Sequence, residues 1–178
     1  MRVCQTIFNH SFATVVLLLC IGSQAATITG TVVKVADGDT ITLRDSNHIR
    51  HKIRLSGVDA PEKSQPYGKR SQKSLSDLVF GKIVRVDTYK ADRFGRELGK
   101  VLFKGQDVNL EQLKRGLAWH YKAFELEQTP EDRRIYGSAE NDAASARLGL
   151  WQDPAPVPPW EWRRRAKNPK SRQQKGLQ

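Results

Sequence analysis

The chain of 178 residues has room for one compact domain of about 100–150 residues plus its ends, and it is too short for a barrel of eight βα units. With 38 % hydrophobic and 28 % charged residues it can bury a core, which excludes wholesale disorder. Thirty Lys and Arg against 19 Asp and Glu give a net charge of +11, which favours a polyanionic partner, nucleic acid or an anionic surface, without choosing between them.

Residues 1–25 carry a lone Arg2, an apolar stretch from Phe12 to Ile21, and small residues at Ser23 and Ala25. This pattern predicts a secretory signal peptide cleaved after Ala25. The apolar run of about ten residues is half the roughly 20 that cross a bilayer, so no membrane attachment is expected after cleavage. Leu19 is too bulky for the position before Cys20 in a lipoprotein signal. Both cysteines, Cys4 and Cys20, fall in the leader, so disulfides and thiolate metal sites drop out of the exported chain, whether it stays in the periplasm or is secreted. Of the remaining net charge of +10, the segment Trp160–Gln178 holds +6, from seven basic residues and one acid.

In chain order, Ile28–Val35 is rich in Thr, Val and Ile, Asp37-Gly38-Asp39 makes a turn, and Thr40–Leu43 resumes the β pattern, which is a hairpin signal. After a second turn at Asp45-Ser46-Asn47, the alternation in His51–Leu55 sets Ile53 and Leu55 on one face and Lys52 and Arg54 on the other. Helical spacing follows over Pro66–Val79, with Leu75, Leu78 and Val79 inward and Gly81 closing the helix. Ile83–Tyr89 alternates again, with Val84, Val86 and Thr88 on one side, and a fifth strand runs near Leu98–Phe103. Asn109 is placed to cap a short helix with Leu110, Leu113 and Leu117 on its apolar face, ending at Gly116. Thr129-Pro130 opens the last helix, in which Ile135, Ala139, Ala143 and Ala146 face inward before Gly149 ends it.

Five short strands and about three helices predict an α+β domain over residues 26–152, a small barrel of the oligonucleotide-binding type with packed helices. Residues 153–178 read as a stiff Pro-rich linker and a basic tail with interleaved tryptophans. Such a tail fits phosphate-backbone binding or a solubilising end, and Trp160 and Trp162 could instead fold back on the barrel.

Four carboxylates and an arginine, in Asp37-Gly38-Asp39-Thr40 and Arg54 through Glu62, lie at the ends of neighbouring predicted strands. Carboxylate oxygens such as those of Asp39 and Asp59, with no thiol and few histidines nearby, suit Ca²⁺ or Mg²⁺ rather than Zn²⁺. Taken singly, Asp-Gly-Asp is also a common turn and Arg54 a solvated strand residue. His48, His51 and His120 are not read as ligands.

Together with Asp92-Arg93-Phe94-Gly95-Arg96, these segments resemble, in order, the motifs of the thermonuclease or staphylococcal nuclease family. The resemblance covers about residues 28–151 and extends to Val108-Asn109, Gly116-Leu117-Ala118 and Leu148-Gly149-Leu150-Trp151. It implies a five-stranded oligonucleotide-binding barrel and Ca²⁺-dependent hydrolysis of phosphodiester bonds in DNA and RNA, giving 3′-phosphorylated products. By the same resemblance, Asp39 and Asp59 supply metal carboxylates, and the main-chain carbonyl at Ala60 a third ligand where the family has Thr. Glu62 occupies the general-base position, and Arg54 and Arg96 clamp phosphate.

These roles make physical sense. A cation and two guanidiniums offset charge developing on an attacked phosphate, and the planar fork of Arg holds two phosphate oxygens. A carboxylate is a weak base at neutral pH, so Glu62 is read as orienting a water as much as deprotonating it. Asp37 is read as a turn residue. Tyr121 is a candidate for the nucleotide contact or a packing residue, and Arg93 a phosphate contact or a solvated loop charge. Nothing in the sequence reads bases, so the expected enzyme is blind to sequence and sugar. No protein partner is implied, and the chain is expected to act as a monomer. The rival reading is a non-catalytic nucleic-acid-binding barrel.

Overall fold

The structure, a computed structural model, describes residues 26–167. The expected leader and the last basic residues, Lys170, Arg172 and Lys175, lie outside the described residues. No helix among the described residues is long and apolar enough to cross a membrane.

The first three strands, β1 (Ala26–Val35), β2 (Thr40–Arg44) and β3 (Arg50–Leu55), form the expected meander of antiparallel neighbours. A two-residue strand β4 (Val58–Asp59) follows at once, then helix α1 (Gly68–Val79). Next come β5 (Ile83–Ala91) and β6 (Glu97–Phe103), a hairpin in which β5 pairs with β1 while β6 runs parallel to β3 with Leu98 opposite Arg54. That last pairing closes a five-stranded barrel, so the sheet keeps no long open edge. The chain continues through β7 (Gln106–Asp107), α2 (Val108–Lys114), β8 (Trp119–His120), a 3-10 segment over Lys122–Glu127, α3 (Pro130–Ser145), a second 3-10 turn and α4 (Pro159–Lys167).

The alternation in the sequence is the alternation in the barrel. Ile41, Leu43, Ile53, Leu55, Val84, Val86 and Val101 point into one core, met from outside by Leu75 and Val79 of α1 and Leu113 of α2. Each such side chain removed from water contributes about 1.5–3 kcal/mol before the entropy of ordering it.

Helix α1 starts two residues later than its spacing predicts. Tyr67 stands in the left-handed region (φ 67°), and the chain turns between Glu62 and Gly68 before the helix can run. Gly68 is required there, because a Cβ would lie 2.0 Å from the Glu62 carbonyl oxygen. The helix start is thereby pressed against the Glu62 loop.

The cap of α2 is Asp107, not Asn109. The Asp107 carboxylate accepts from Leu110 N at 3.0 Å, whereas Asn109 lies inside the helix and is fully buried. Pairing of β7 with β6 carries Asp107 to the helix start, which moves the start two residues back. Asn109 instead accepts from Val101 N and donates to Gly99 O and Ser56 O, tying the middle of β6 to the turn between β3 and β4.

In α3, Thr129 caps as expected, accepting from Asp132 N at 3.1 Å, and Ala139 and Ala143 are buried. Ala146 is exposed just past the helix end, and Tyr136 and Glu140 take the buried positions that apolar spacing alone passes over. The buried Glu140 carboxylate is met by two donors, His120 N at 2.9 Å and Lys122 Nζ at 2.7 Å.

Across the closure of the barrel, His51 Nδ1 meets Glu97 at 2.9 Å and Nε2 meets Asp45 at 3.1 Å. The bond to Glu97, then that to Asp45, raises the His51 pKa above its ordinary value. A group whose pKa rises on folding stabilises fully below its unfolded pKa, about 6.5, and loses that contribution as pH climbs through the folded value. His51→Gln is therefore expected to lower the urea midpoint more at pH 5.5 than at pH 9, and equal deficits at the two pH values would contradict the bridge.

Candidate active site

Two tight turns and one strand end bring the acidic motifs together. Asp39 closes the β1–β2 turn. Its amide donates to Asp37 Oδ1 at 3.1 Å, and its carbonyl accepts from Leu55 N of β3. Gly38 lies against α1 so closely that a Cβ would stand 1.8 Å from Ser71 Oγ, so the turn cannot drift outward. Asp59 sits on β4, which pairs with Trp119 and His120 of β8, and β8 is in turn held by Glu140.

Between the two carboxylates stands Arg54, from the end of β3. One arm of its guanidinium donates to Asp39 Oδ1 at 2.8 Å and the other to Asp59 Oδ1 at 2.9 Å. Asp39 is 3 % exposed and Asp59 0 %, so the cluster faces the interior as much as the solvent. Asp39 also accepts from Thr40 Oγ1 and from the Ala60 amide, both at 2.9 Å. Burial holds the Asp59 carboxyl above the usual carboxylate range, and repulsion from Asp39 adds to it against the pull of Arg163 and Arg54. Burial, then repulsion from Asp39, also pushes Asp37 up to about 6, as fits a turn residue behind the site. Burial works against the Arg54 charge, but Asp39 and Asp59 outweigh it and hold the guanidinium well above its ordinary pKa.

Glu62 lies just past Ala60 in the loop pinned by Gly68, and its carboxylate faces the same cluster through a residue that sequence reading did not assign to the site. Arg163, on α4, donates to Glu62 Oε1 at 2.8 Å and clamps both oxygens of Asp59, Oδ1 at 3.1 Å and Oδ2 at 2.8 Å. The fold-back of the tail tryptophans is what brings it there. Trp160 stacks on Tyr121 with ring centroids 5.6 Å apart and meets Trp119 edge-on at 5.7 Å. The basic aromatic run was the available signal, but a contact over 104 residues has no local signature.

The other expected residues stand further out. Arg96 pairs with Asp92, through Nε at 2.7 Å, within the turn that leads into β6. Arg93 is exposed and lies over the Phe94 ring. Tyr121 is spent on the Trp160 stack.

As a donor set for a cation, the cluster offers hard carboxylate oxygens from Asp39 and Asp59, whose mutual repulsion a divalent ion would relieve, with the Ala60 backbone beside them. This chemistry fits Ca²⁺. The set rests on two acidic side chains and the main chain, and no group of three or more His, Cys, Asp or Glu is placed to hold a metal among the described residues.

The chain matches known proteins along most of its length. The family model described as staphylococcal nuclease homologue matches residues 52–153. An uncharacterized endonuclease of Haemophilus influenzae is 43 % identical over 136 residues, covering 76 % of this chain and 73 % of that protein. A micrococcal nuclease of Shigella flexneri is 37 % identical over 165 residues, covering 88 % of this chain and 91 % of the relative. A probable staphylococcal-like nuclease of Oryza sativa subsp. japonica is 43 % identical over 119 residues, 67 % of this chain but only 34 % of that longer protein.

Proposed function

The chain belongs to the staphylococcal nuclease family and is a nuclease, and from that premise we propose that it is an exported, Ca²⁺-dependent enzyme that cleaves DNA and RNA alike, acts as a monomer and leaves 3′-phosphorylated products. The observation that carries the catalytic part is the convergence of Asp39 and Asp59 on the Arg54 guanidinium, with Glu62 beside them. A barrel that only bound nucleic acid has no use for three carboxylates gathered where a polyanion must approach. The family's calcium dependence and the hard oxygen donors support the cation, and the leader pattern at residues 1–25 supports export.

In this reading Asp39, Asp59 and the Ala60 carbonyl hold the ion, which when bound supplies positive charge against the scissile phosphate. Glu62 orients a water toward phosphorus and accepts its proton as the new P–O bond forms and the P–O5′ bond breaks, the departing 5′-oxygen taking a proton from solvent. Arg54 offers its charge to the phosphate oxygens from the floor of the site, and Arg96 swings from Asp92 to take a second pair. Arg93 flanks the strand on the outside, while Tyr121 stays in its stack with Trp160. All of these contacts address phosphate, sugar or a ring face, which is why neither base nor sugar is selected.

The test is digestion of single-stranded DNA and of RNA by the purified protein in calcium and in excess chelator, with Glu62→Ser as control. Cleavage of both polymers that needs calcium and falls by orders of magnitude in Glu62→Ser is expected. Binding without cleavage at every calcium concentration would support the non-catalytic barrel instead.

A further inference from the structure

Helix α4 is docked by contacts that owe nothing to Arg163. Pro159 is buried, the Gln65 amide donates to the Val157 carbonyl just ahead of the helix, and Trp160 packs on Tyr121 and Trp119. Trp162 lines, together with Pro61, Pro66 and Tyr67, a cavity of about 40 Å³ where the helix meets the domain. Arg163 is thus presented to the site on a fixed base, and most of the entropy of bringing it there is already spent in docking the helix.

What it meets is the carboxylate that no solvent reaches. Asp59 Oδ1 already accepts from Arg54, and the second donor from Arg163 fills that oxygen, while Oδ2 is taken by the other arm of the same fork. Glu62 is engaged in the same grip. Three carboxylates are set against two guanidiniums, so the cluster keeps one negative charge in excess with Arg163 in place and two without it. The Arg163 side chain itself is 38 % exposed and lies on a long flexible stem, free to leave without undocking the helix.

We propose that Arg163 is the protein's own cation at the Asp59–Glu62 pair, an intramolecular competitor that a divalent ion must displace and that thereby sets how much of that ion the nuclease needs. The proposal rests on the reading that Asp39 and Asp59 hold the ion. It differs from a purely structural role, in which Arg163 pins α4 and its loss leaves cation affinity unchanged or weaker.

The measurement is a calcium-binding isotherm by calorimetry, without nucleic acid, on the full protein and on Arg163→Gln, Arg163→Lys and Asp59→Asn, with tryptophan fluorescence reporting the Trp160 stack. Arg163→Gln is expected to bind calcium about tenfold more tightly, because a charge-assisted bidentate competitor has been removed. Arg163→Lys, which keeps the charge but lacks the fork, is expected to fall between, and it carries the test should the Gln variant fail to fold. Unchanged fluorescence with tighter binding shows that α4 stays docked and that competition alone was lifted. Wild-type or weaker affinity in Arg163→Gln, alongside lost binding in Asp59→Asn, overturns the role of Arg163 and leaves the calcium site standing. Calcium binding that survives Asp59→Asn overturns the site reading itself, and the proposal with it.

Discussion

Replacing Arg54 with methionine is expected to lower the stability of the calcium-free protein by about 3–5 kcal/mol at neutral pH, the cost of stranding buried charge when one partner of an internal ion pair is removed. Methionine keeps much of the side-chain volume, so the loss reports charge rather than a cavity. Asp59 retains the Arg163 fork, and the stranded group is chiefly Asp39, left with only Thr40 Oγ1 and the Ala60 amide as donors in a site 3 % exposed. The sign of the pH dependence follows. In the variant the unpaired acids bind protons more tightly folded than unfolded, so the penalty is absent below their unfolded pKa values, grows as pH rises from those toward the higher folded values, and is complete above them. Urea unfolding in chelator should therefore show a deficit at pH 7.5 that shrinks toward pH 4.5. A deficit under about 1 kcal/mol at both pH values, the size of an exposed pair, would mean that the Arg54 bridge does not hold the acids in place.

The barrel was legible in the sequence because its strands are half-buried and alternate. Ile53 and Leu55 inward, Lys52 and Arg54 outward, is a pattern that only a β period explains. Closure was inferred from the count of short strands and from the family resemblance, not from any pairing signal, since the parallel pairing of β3 with β6 joins residues over 40 positions apart and depends on no local preference. Where local rules compete, the sequence misleads. Asp107 and Asn109 are both good caps, and a two-residue strand, invisible to periodicity, decides between them. Likewise nothing in the spacing of α3 marks Glu140 as buried, because β8 and Lys122, which enclose it, come from elsewhere in the chain.

The site divides along the same line. Asp39, Arg54, Asp59 and Glu62 were found because each sits in a short motif at a strand end, and turns with fixed glycines convert that local spacing into convergence. Arg163 was not, because nothing near it in sequence records that Trp160 will stack on Tyr121. Its three neighbours, Arg164, Arg165 and Lys167, carry equal charge and would have been equal candidates; the helical phase of α4, set by the docked tryptophans, selects one.

Arg96→Ala is expected to reduce single-turnover cleavage by roughly a hundredfold to a thousandfold, the usual effect of deleting one donor aimed at transition-state charge, while stability changes little. Arg96 stands two residues before Leu98, the register partner of Arg54 across the closing seam, so it sits at the entry to the strand that neighbours that of Arg54. Its guanidinium rests on Asp92, with Nη2 to Oδ2 at 2.6 Å, and over the Phe94 ring at 5.5 Å. Asp92 has a second duty. Its Oδ1 accepts from the amides of Phe94 and Arg96 and shapes the turn, so the turn survives loss of the Arg96 side chain. The pair lies near the surface, where such a bridge is worth about 1 kcal/mol or less, small enough for an incoming phosphate to win the fork away. Arg96→Lys keeps a positive charge but not two parallel donors, and its rate should fall between the two. Unfolding free energies from urea titration within about 0.5 kcal/mol of wild type, together with the lost rate, would place the effect in the transition state rather than the fold. Wild-type cleavage by Arg96→Ala would instead confine this arginine to the turn it closes and leave Arg54 as the phosphate ligand from the barrel.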